Sequence, residues 1–441
     1  MASTRRIAVV GSGISGLAAA WRLATAPGDH RVTLFEADER LGGHAHTVDL
    51  TLDGVTHGVD TGFLVYNQRT YPLLTRLFAE LGVETAASDM SFSVQAPRAG
   101  GGGLEWSGSS LGTVFAQRSN LLRPGFWRML TEIMRFNRLA TELAERGQDA
   151  ALQGAIEDFL DAHRFGRGFR EHYLLPMIGC IWSCPTDQAL KFPLGTLIRF
   201  CHNHGLIQIA DRPQWYTVRG GSREYVKRVA ARLPDVRTST PVLGIQRDGE
   251  QVRLRTGYGA QAFDAVILAC HSDQALSLLA EGASADERAV LGAIRYQPNT
   301  AVLHSDVAAL PKRQAAWAAW NYERAVDATQ EQSQVCLHYL LNRLQPLPWQ
   351  RPVVVSLNPV RPIADALVHR RIDYSHPVFD LAAMQAQARV GELQGRQRTW
   401  HCGAWCGYGF HEDGLRAGFE AANGVLAARP SWSPQGERSA A

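Results

Sequence analysis

Ile7-Ala8-Val9-Val10-Gly11-Ser12-Gly13-Ile14-Ser15-Gly16 is followed twenty residues later by Glu36, at the end of a second apolar run, Val32-Thr33-Leu34-Phe35. Ile7 to Val10 reads as a short buried strand. Gly11 permits a tight turn, Gly13 lets main chain approach a pyrophosphate, and Gly16 lets the next helix pack against the strand. A helix opening at Ile14, with Ser15 in its first turn, points its positive end and unbonded N–H groups at phosphate. Glu36 can accept both hydroxyls of an adenosine ribose, and its charge repels a 2′-phosphate. The stretch therefore predicts a dinucleotide site that disfavours NADP.

The residues after Glu36 choose the dinucleotide. Arg40-Leu41-Gly42-Gly43-His44 places a second glycine turn beside the ribose acid. NAD does not need it. A cofactor continuing along a longer path of close-approaching backbone does, and that points to FAD. Gly58-Val59-Asp60-Thr61-Gly62-Phe63 offers a strand end and a glycine where a flat ring can meet main chain, so Gly62 and Phe63 join the cofactor candidates. With these motifs the chain resembles the superfamily of flavin-containing amine oxidases, protoporphyrinogen oxidases and phytoene desaturases. There the second glycine pair is normally followed by arginine. Here it is His44, which leaves Arg40 and peptide N–H groups to neutralise the pyrophosphate.

The resemblance extends to the middle and end of the chain. Thr240 to Ile245, a hairpin over Val252 to Phe263 and the buried strand Asp264 to His271 look like the return that completes such a nucleotide domain, with Val242 beside the adenine. Thr399 to Gly403 looks like a last strand ending in glycine. Gly407 to Gly414 then leads to a helix expected over Leu415 to Leu426, with His411, Glu412 and Asp413 at its approach. In the superfamily such a helix aims its N-terminus at the pyrimidine side of the flavin, where the reduced ring carries negative charge. The implied fold is α/β: a discontinuous Rossmann-like FAD-binding domain (1–62, 212–285 and 396–428), an inserted α+β substrate domain (63–211 and 286–395) in an amine-oxidase-like two-domain architecture, and a disordered tail (429–441).

Four segments narrow the resemblance: Asp89 to Val94, Ile181 to Pro185, Arg212 to Trp215 and Gly407 to Gly414. They are similar to the flavoprotein domain that precedes the methyltransferase in plant cyclopropane fatty acid synthases, and to free-standing bacterial relatives encoded near fatty-acyl-modifying methyltransferases. This implies an FAD-dependent oxidoreductase that dehydrogenates or desaturates a lipid or fatty-acyl chain, with an apolar small-molecule substrate and a fatty-acyl methyltransferase as partner. Two alternatives stay open: oxidation of a small amine, and an accessory flavoprotein serving the methyltransferase. His411 and Glu412 are the candidate catalytic residues, as acceptors of the second hydrogen.

Bulk properties exclude other classes. Forty-five Lys and Arg against 42 Asp and Glu give +3 with histidine neutral, without the basic face nucleic acid requires. The 441 residues suffice for two domains. The seven cysteines lack metal-ligand spacing, Cys201-His202-Asn203-His204 included, so no metal site and buried reduced thiols are expected. Arg5-Arg6 before an apolar stretch imitates an export signal, but cleavage after Ala20 or Ala24 would discard the glycine motif. No apolar run reaches the eighteen residues of a membrane span. A cytoplasmic location, with peripheral contact at the inner membrane surface, is the expectation.

Between the cofactor segments, Tyr71 to Leu81 and Phe126 to Leu139 have helical periodicity. In the second, Phe126, Trp127, Leu130, Ile133, Met134 and Leu139 are expected to gather on one side, with Arg128, Arg135 and Arg138 around them. That helix reads either as a core helix with a basic flank or as one touching lipid. Tyr173 to Pro185 reads as an interrupted segment. Trp182, Phe192, Trp215, Tyr216 and Trp405 read either as core or as an apolar tunnel, and Trp317 to Tyr322 poses the same choice. The superfamily's amine oxidases often hold a lysine beside the flavin for oxygen chemistry; Gln297-Pro298-Asn299-Thr300 stands there instead.

Overall fold

The strand predicted from the first apolar run forms as Arg5–Val10 and lies at the centre of a five-stranded parallel sheet. In this computed structural model residues 4–97, 103–146, 154–182, 190–208, 212–325 and 335–428 are described. The expected tail and Ser183 to Pro185 lie outside them. The strand order is Asp235–Arg237, His30–Phe35, Arg5–Val10, Ala265–Leu268, Thr399–His401. The chain thus winds outward in both directions from its first strand, as doubly wound nucleotide folds do. Ile7, Ala8, Val9 and Val266 to Leu268 are fully buried, as strands covered on both faces require.

The chain divides into two units. The first comprises 1–43, 228–293 and 386–441, and the second 44–227 and 294–385. These cuts differ from the expected boundaries. Thr47–Leu52 and Val55–Asp60 form a hairpin whose end is gripped by Ser222 and Gln345, so 44–62 belongs to the second unit. Trp215–Val218 pairs with Tyr66–Asn67 and Thr85–Ser88, which carries 212–227 there too.

In the first unit the helices Ile14–Thr25 and His411–Ala427 run side by side in parallel. A Cβ at Gly414 would touch Ile14 and Ser15, one at Gly418 would meet Ser15 and Ala18, and Arg22 donates to Asn423. Arg247 and Glu287 form a buried bidentate pair (2.6 and 2.9 Å), with His401 3.6 Å from the same carboxylate. Against the penalty of burial, the Arg247 guanidinium, His401 and the Ser284 N–H hold Glu287 well below the usual carboxylate range.

The second unit is built on a seven-stranded sheet, ordered Val368–Val378, Arg295–His304, Val354–Leu357, Cys336–Leu340, Trp320–Glu323, Phe92–Pro97, Gly103–Ser107. Its two faces differ. Val94, Trp106, Tyr322, Leu337, Val355 and Leu303 are apolar on one. Ser93, Asn321, Glu323, His338, Ser356 and His304 make a buried polar seam on the other. Along the seam His338 bonds Glu323 at 2.9 Å and Ser356 at 2.6 Å, and Ser356 bonds His304 at 2.6 Å. Glu323, Cys336 and His338 have the ligand types of a metal site, but His338 and Glu323 engage each other, and Arg361 takes the other carboxylate oxygen at 2.8 Å.

The expected helices form as Pro72–Leu81 and Pro124–Arg146. The face predicted for the second is wrong: Phe126 is buried, but so are Glu132 and Asn137, while Trp127 and Met134 are exposed. Of the segment expected from Tyr173 on, the described residues begin in a π-turn, Arg170–Leu174, and Leu175–Trp182 is helical despite Pro176 and Gly179. Pro176 lies in the first turn of that helix, and Gly179 packs where a Cβ would strike Val335.

Candidate functional site

The first unit holds the glycine cradle. Gly11 has φ +100°, and a Cβ there would stand 2.8 Å from the Ala269 carbonyl, so the turn admits only glycine. Gly13 instead faces open space, with no atom within 4 Å of a Cβ built on it. It N-caps the helix Ile14–Thr25, which no side chain caps, so that the first-turn N–H groups of Ser15 and Gly16 remain available to an anion. A Cβ at Gly16 would collide with the Gly11 carbonyl.

Glu36 stands one residue past its strand. Its Oε2 accepts from the Ser12 N–H (2.9 Å) and hydroxyl (2.5 Å), and its Oε1 accepts from the Asp38 N–H (3.0 Å). These donors fix the carboxylate's direction and leave lone pairs for ribose hydroxyls. The second glycine turn folds onto the first: the Gly42 N–H donates to the Ser12 carbonyl at 3.1 Å, and a Cβ at Gly43 would sit 3.1 Å from the Gly13 Cα. Arg40 Nη1 donates to the Gly43 carbonyl at 2.8 Å, which places a cation at this double turn. The Thr240 N–H bonds back to the Glu36 carbonyl at 2.8 Å, which brings half-buried Val242, two residues on, to the same edge.

At the far end, the Cys402 N–H continues the pairing with Leu268, and Gly403 follows. The last helix begins at His411, four residues before the expected Leu415. His411, Glu412 and Asp413 are its buried first turn. Asp413 caps the helix by accepting from the Phe410 N–H (3.1 Å), and burial pushes its pKa up to about 6. Burial pushes His411 down to about 3, so its ring is neutral. Because the two helices run in parallel, both positive ends lie at the same edge of the sheet.

The second unit carries a site of its own. The Phe63 N–H donates to the His44 carbonyl (2.8 Å), so His44, Gly62 and Phe63 share one turn, and Gly62 packs against the His44 carbonyl where a side chain would not fit. The His44 ring stacks on Tyr374 (centroids 4.8 Å apart) and lies 5.2 Å from His376. Tyr374 meets Thr61 at 2.9 Å and His46 at 3.2 Å. The Asn299 amide donates to His376 Nδ1 (2.9 Å), and its carbonyl accepts from Asn358 (2.7 Å). Tyr374, His376 and Asn358 were not singled out from the sequence, and Asn299 was named only within the stretch that stands in place of the lysine. The alternation Tyr374-Ser375-His376 on a strand was the available signal.

Asp60 anchors that turn. Fully buried, it accepts from Thr47 (2.6 Å), the Ser222 N–H (2.9 Å) and hydroxyl (2.7 Å), and the Gln345 amide (2.8 Å). Burial pushes it up to about 6 against these donors. Elsewhere in this unit, Trp182, Phe192, Phe200, His204 and Trp215 form a row of ring contacts, with centroids 4.6 Å apart at Trp182–Phe192 and 3.9 Å at Phe200–His204. Burial lowers His204 to about 4, so the whole row is neutral. Tyr216 packs on Tyr66, whereas Trp405 belongs to the first unit, its indole N–H on the Cys270 carbonyl. Trp317 donates to the Pro311 carbonyl, Trp320 packs edge-on against Tyr339, and Tyr322 is buried, so that segment is core.

A glycine cradle, an oriented carboxylate at Glu36 and two parallel helix N-termini are gathered at one edge of this sheet, the arrangement of a dinucleotide-binding fold. The model of the flavin containing amine oxidoreductase family matches residues 14–305, and the chain belongs to that family. Members of that family are oxidoreductases that use FAD. It is 26% identical over 266 residues to (S)-6-hydroxynicotine oxidase of Paenarthrobacter nicotinovorans, a match spanning 59% of this chain and 58% of that protein. Its fold resembles a protein described as a protoporphyrinogen oxidase from Exiguobacterium sp. 255-15 (19% identity, TM-score 0.67) and a fatty acid isomerase from P. acnes that produces CLA (15% identity, TM-score 0.65). Each covers 96% of this chain and 99% of the other.

Proposed function

We propose that the protein dehydrogenates a lipid or fatty-acyl chain. One carbon gives up a hydride, its neighbour a proton, and a C=C bond forms. Bound FAD supplies the two-electron acceptor. The chain's own residues orient the substrate, exclude water and favour the reduced, anionic ring through the helix opening at His411. The observation that carries the reading is a scarcity of lysine. Lys191, Lys227 and Lys312 are the only three in the chain, and none lies on the strand Arg295–His304, where Asn299 and His376 form an amide–imidazole pair. An oxygen-using amine oxidase of the kind that employs lysine has no candidate there. The neutral ring row from Trp182 to Trp215 adds support, because an apolar chain offers few polar handles and an amine substrate brings a cation.

The thiols favour a noncovalent cofactor. Burial holds Cys402 and Cys406 far above the ordinary thiol range, and hence protonated and poorly nucleophilic. Acid precipitation should release the yellow colour. His411 is a poor proton acceptor, since burial disfavours its charged form. Glu412 is the better candidate, and Glu412→Gln should slow flavin reduction by about 100-fold, whereas His411→Ala should leave it nearly unchanged. An unaltered rate in Glu412→Gln removes that role.

The deciding measurement is anaerobic flavin reduction, with a panel of amines in one arm and unsaturated or methylated phospholipids in the other. Acyl substrates should bleach the flavin, and mass spectrometry should find chains two hydrogens lighter. Bleaching by amines alone would replace this reading with amine oxidation. Bleaching by neither, with co-purification of a methyltransferase, would favour the accessory role.

A further inference from the structure

We infer that Leu111 to Arg138 forms a docking surface for an anionic lipid bilayer. Leu111 (80% exposed), Leu121 (48%), Leu122 (87%), Trp127 (46%) and Met134 (58%) all lie within this one stretch. A single exposed leucine means nothing, but a contiguous group does. These residues are tied together. Phe115, which ends the short helix Leu111–Val114, packs on Trp127 at 5.3 Å, and the Trp127 indole N–H donates to the Leu121 carbonyl at 3.0 Å.

The long helix shows the same thing from inside. Trp127, Thr131, Met134 and Arg138 follow one another at helical spacing along its exposed stripe, while Glu132 and Asn137 are buried. Glu132 is compensated by Arg128 (3.1 Å) and the Gly166 N–H (3.2 Å). A helix that buries a carboxylate and exposes tryptophan and methionine has the pattern of a surface covered by something apolar.

Charge selects the occupant. From Leu111 to Arg138 there are five arginines and one glutamate, an excess larger than the +3 of the whole chain. Arg118, Arg123, Arg128 and Arg138 are exposed around the apolar residues, and the one acid is turned inward. Leucine and tryptophan entering the headgroup boundary, ringed by arginines meeting phosphates, is the composition of an interfacial anchor. Among the described residues no helix is long and apolar enough to cross a membrane, so the contact is peripheral. The surface stands without the acyl reading, although it would bring the enzyme to that substrate.

The test is sedimentation of the FAD-loaded full chain with vesicles of phosphatidylcholine, alone or mixed with phosphatidylglycerol. Binding is expected to the mixed vesicles and should fall with added salt. Arg118→Gln and Arg138→Gln should each weaken it about fivefold. Leu121→Ser with Leu122→Ser should weaken it more than about tenfold, and Tyr258→Ser, at an exposed site in the first unit (82%), should not. Absence of wild-type binding overturns the inference, as does undiminished binding of the Leu121/Leu122 variant. So does a concentration-dependent dimer lost in that variant, which would make this a face between copies. No turnover is involved, so vesicle binding with inert lipids would sink the acyl reading and leave this inference standing.

Discussion

Gly13→Val should yield protein that folds normally and purifies colourless. Gly13 has φ −61° and ψ 177°, which valine adopts without strain, and its Cβ would meet no protein atom. The apoprotein's stability should therefore stay within about 0.5 kcal/mol of wild type, as for an uncrowded substitution. The branched side chain would occupy the space before the helix N-terminus, where the pyrophosphate must come close. A loss of about 100-fold or more in FAD affinity is expected, about 3 kcal/mol. Visible absorbance and titration with FAD would measure it, and thermal unfolding of the FAD-free protein would show the fold intact. Gly11→Ala is the contrasting case, since its positive φ and the Ala269 carbonyl make it unfavourable for the fold itself. Normal FAD binding by Gly13→Val would overturn the placement of the cradle.

What could be read in advance was local. The strand, turn and helix from Ile7 to Gly16 depend on neighbours within a dozen residues, and so does the spacing to Glu36. The rest depended on partners far away in the chain. The hairpin Thr47–Asp60 continues the cofactor motifs in sequence, yet its buried carboxylate is satisfied by Ser222 and Gln345, and no local pattern announces that. His411-Glu412-Asp413 looks solvated because three ionisable residues in a row usually are. It is buried because Asp413 caps its own helix and because Gly414 and Gly418 let that helix press against Ile14–Thr25. The seam from Ser93 to His304 has the alternation of a sheet with one wet face, but the polar side chains bond one another across the strands. The face of Pro124–Arg146 was misjudged for a related reason: periodicity counts apolar residues and cannot say that Glu132 finds Gly166 while Trp127 stays outside.

Asp60→Asn should destabilise the protein by about 2–4 kcal/mol, and Gln345→Glu should restore much of that stability. Gln345 holds residue 60 at two points: its Oε1 accepts the Asp60 N–H at 3.0 Å and its Nε2 donates to Asp60 Oδ2 at 2.8 Å. With Ser222 and Thr47 donating to Oδ1, an asparagine must keep its oxygen there and turn its NH2 toward Gln345. Two buried donors then face each other, and each unmatched group costs about 1–3 kcal/mol. The carboxylate introduced by Gln345→Glu would accept from both the asparagine NH2 and the backbone N–H, so the double variant reverses the donor and acceptor without changing shape. A thermodynamic cycle should show coupling of about 1.5–3 kcal/mol, the range for groups in one buried network. Acidification supplies an independent sign. Asp60 takes up its proton near pH 6, whereas an unfolded aspartate does so near ~3.9. The native state therefore binds the proton first, and this group adds stability as pH falls from about 6 to about 4. Asparagine lacks that contribution, so the gap between wild type and Asp60→Asn should widen on acidification. A gap that narrows instead would mean that the donors, and not burial, govern the carboxyl, and that the turn at Thr61 to Phe63 rests on a permanent charge.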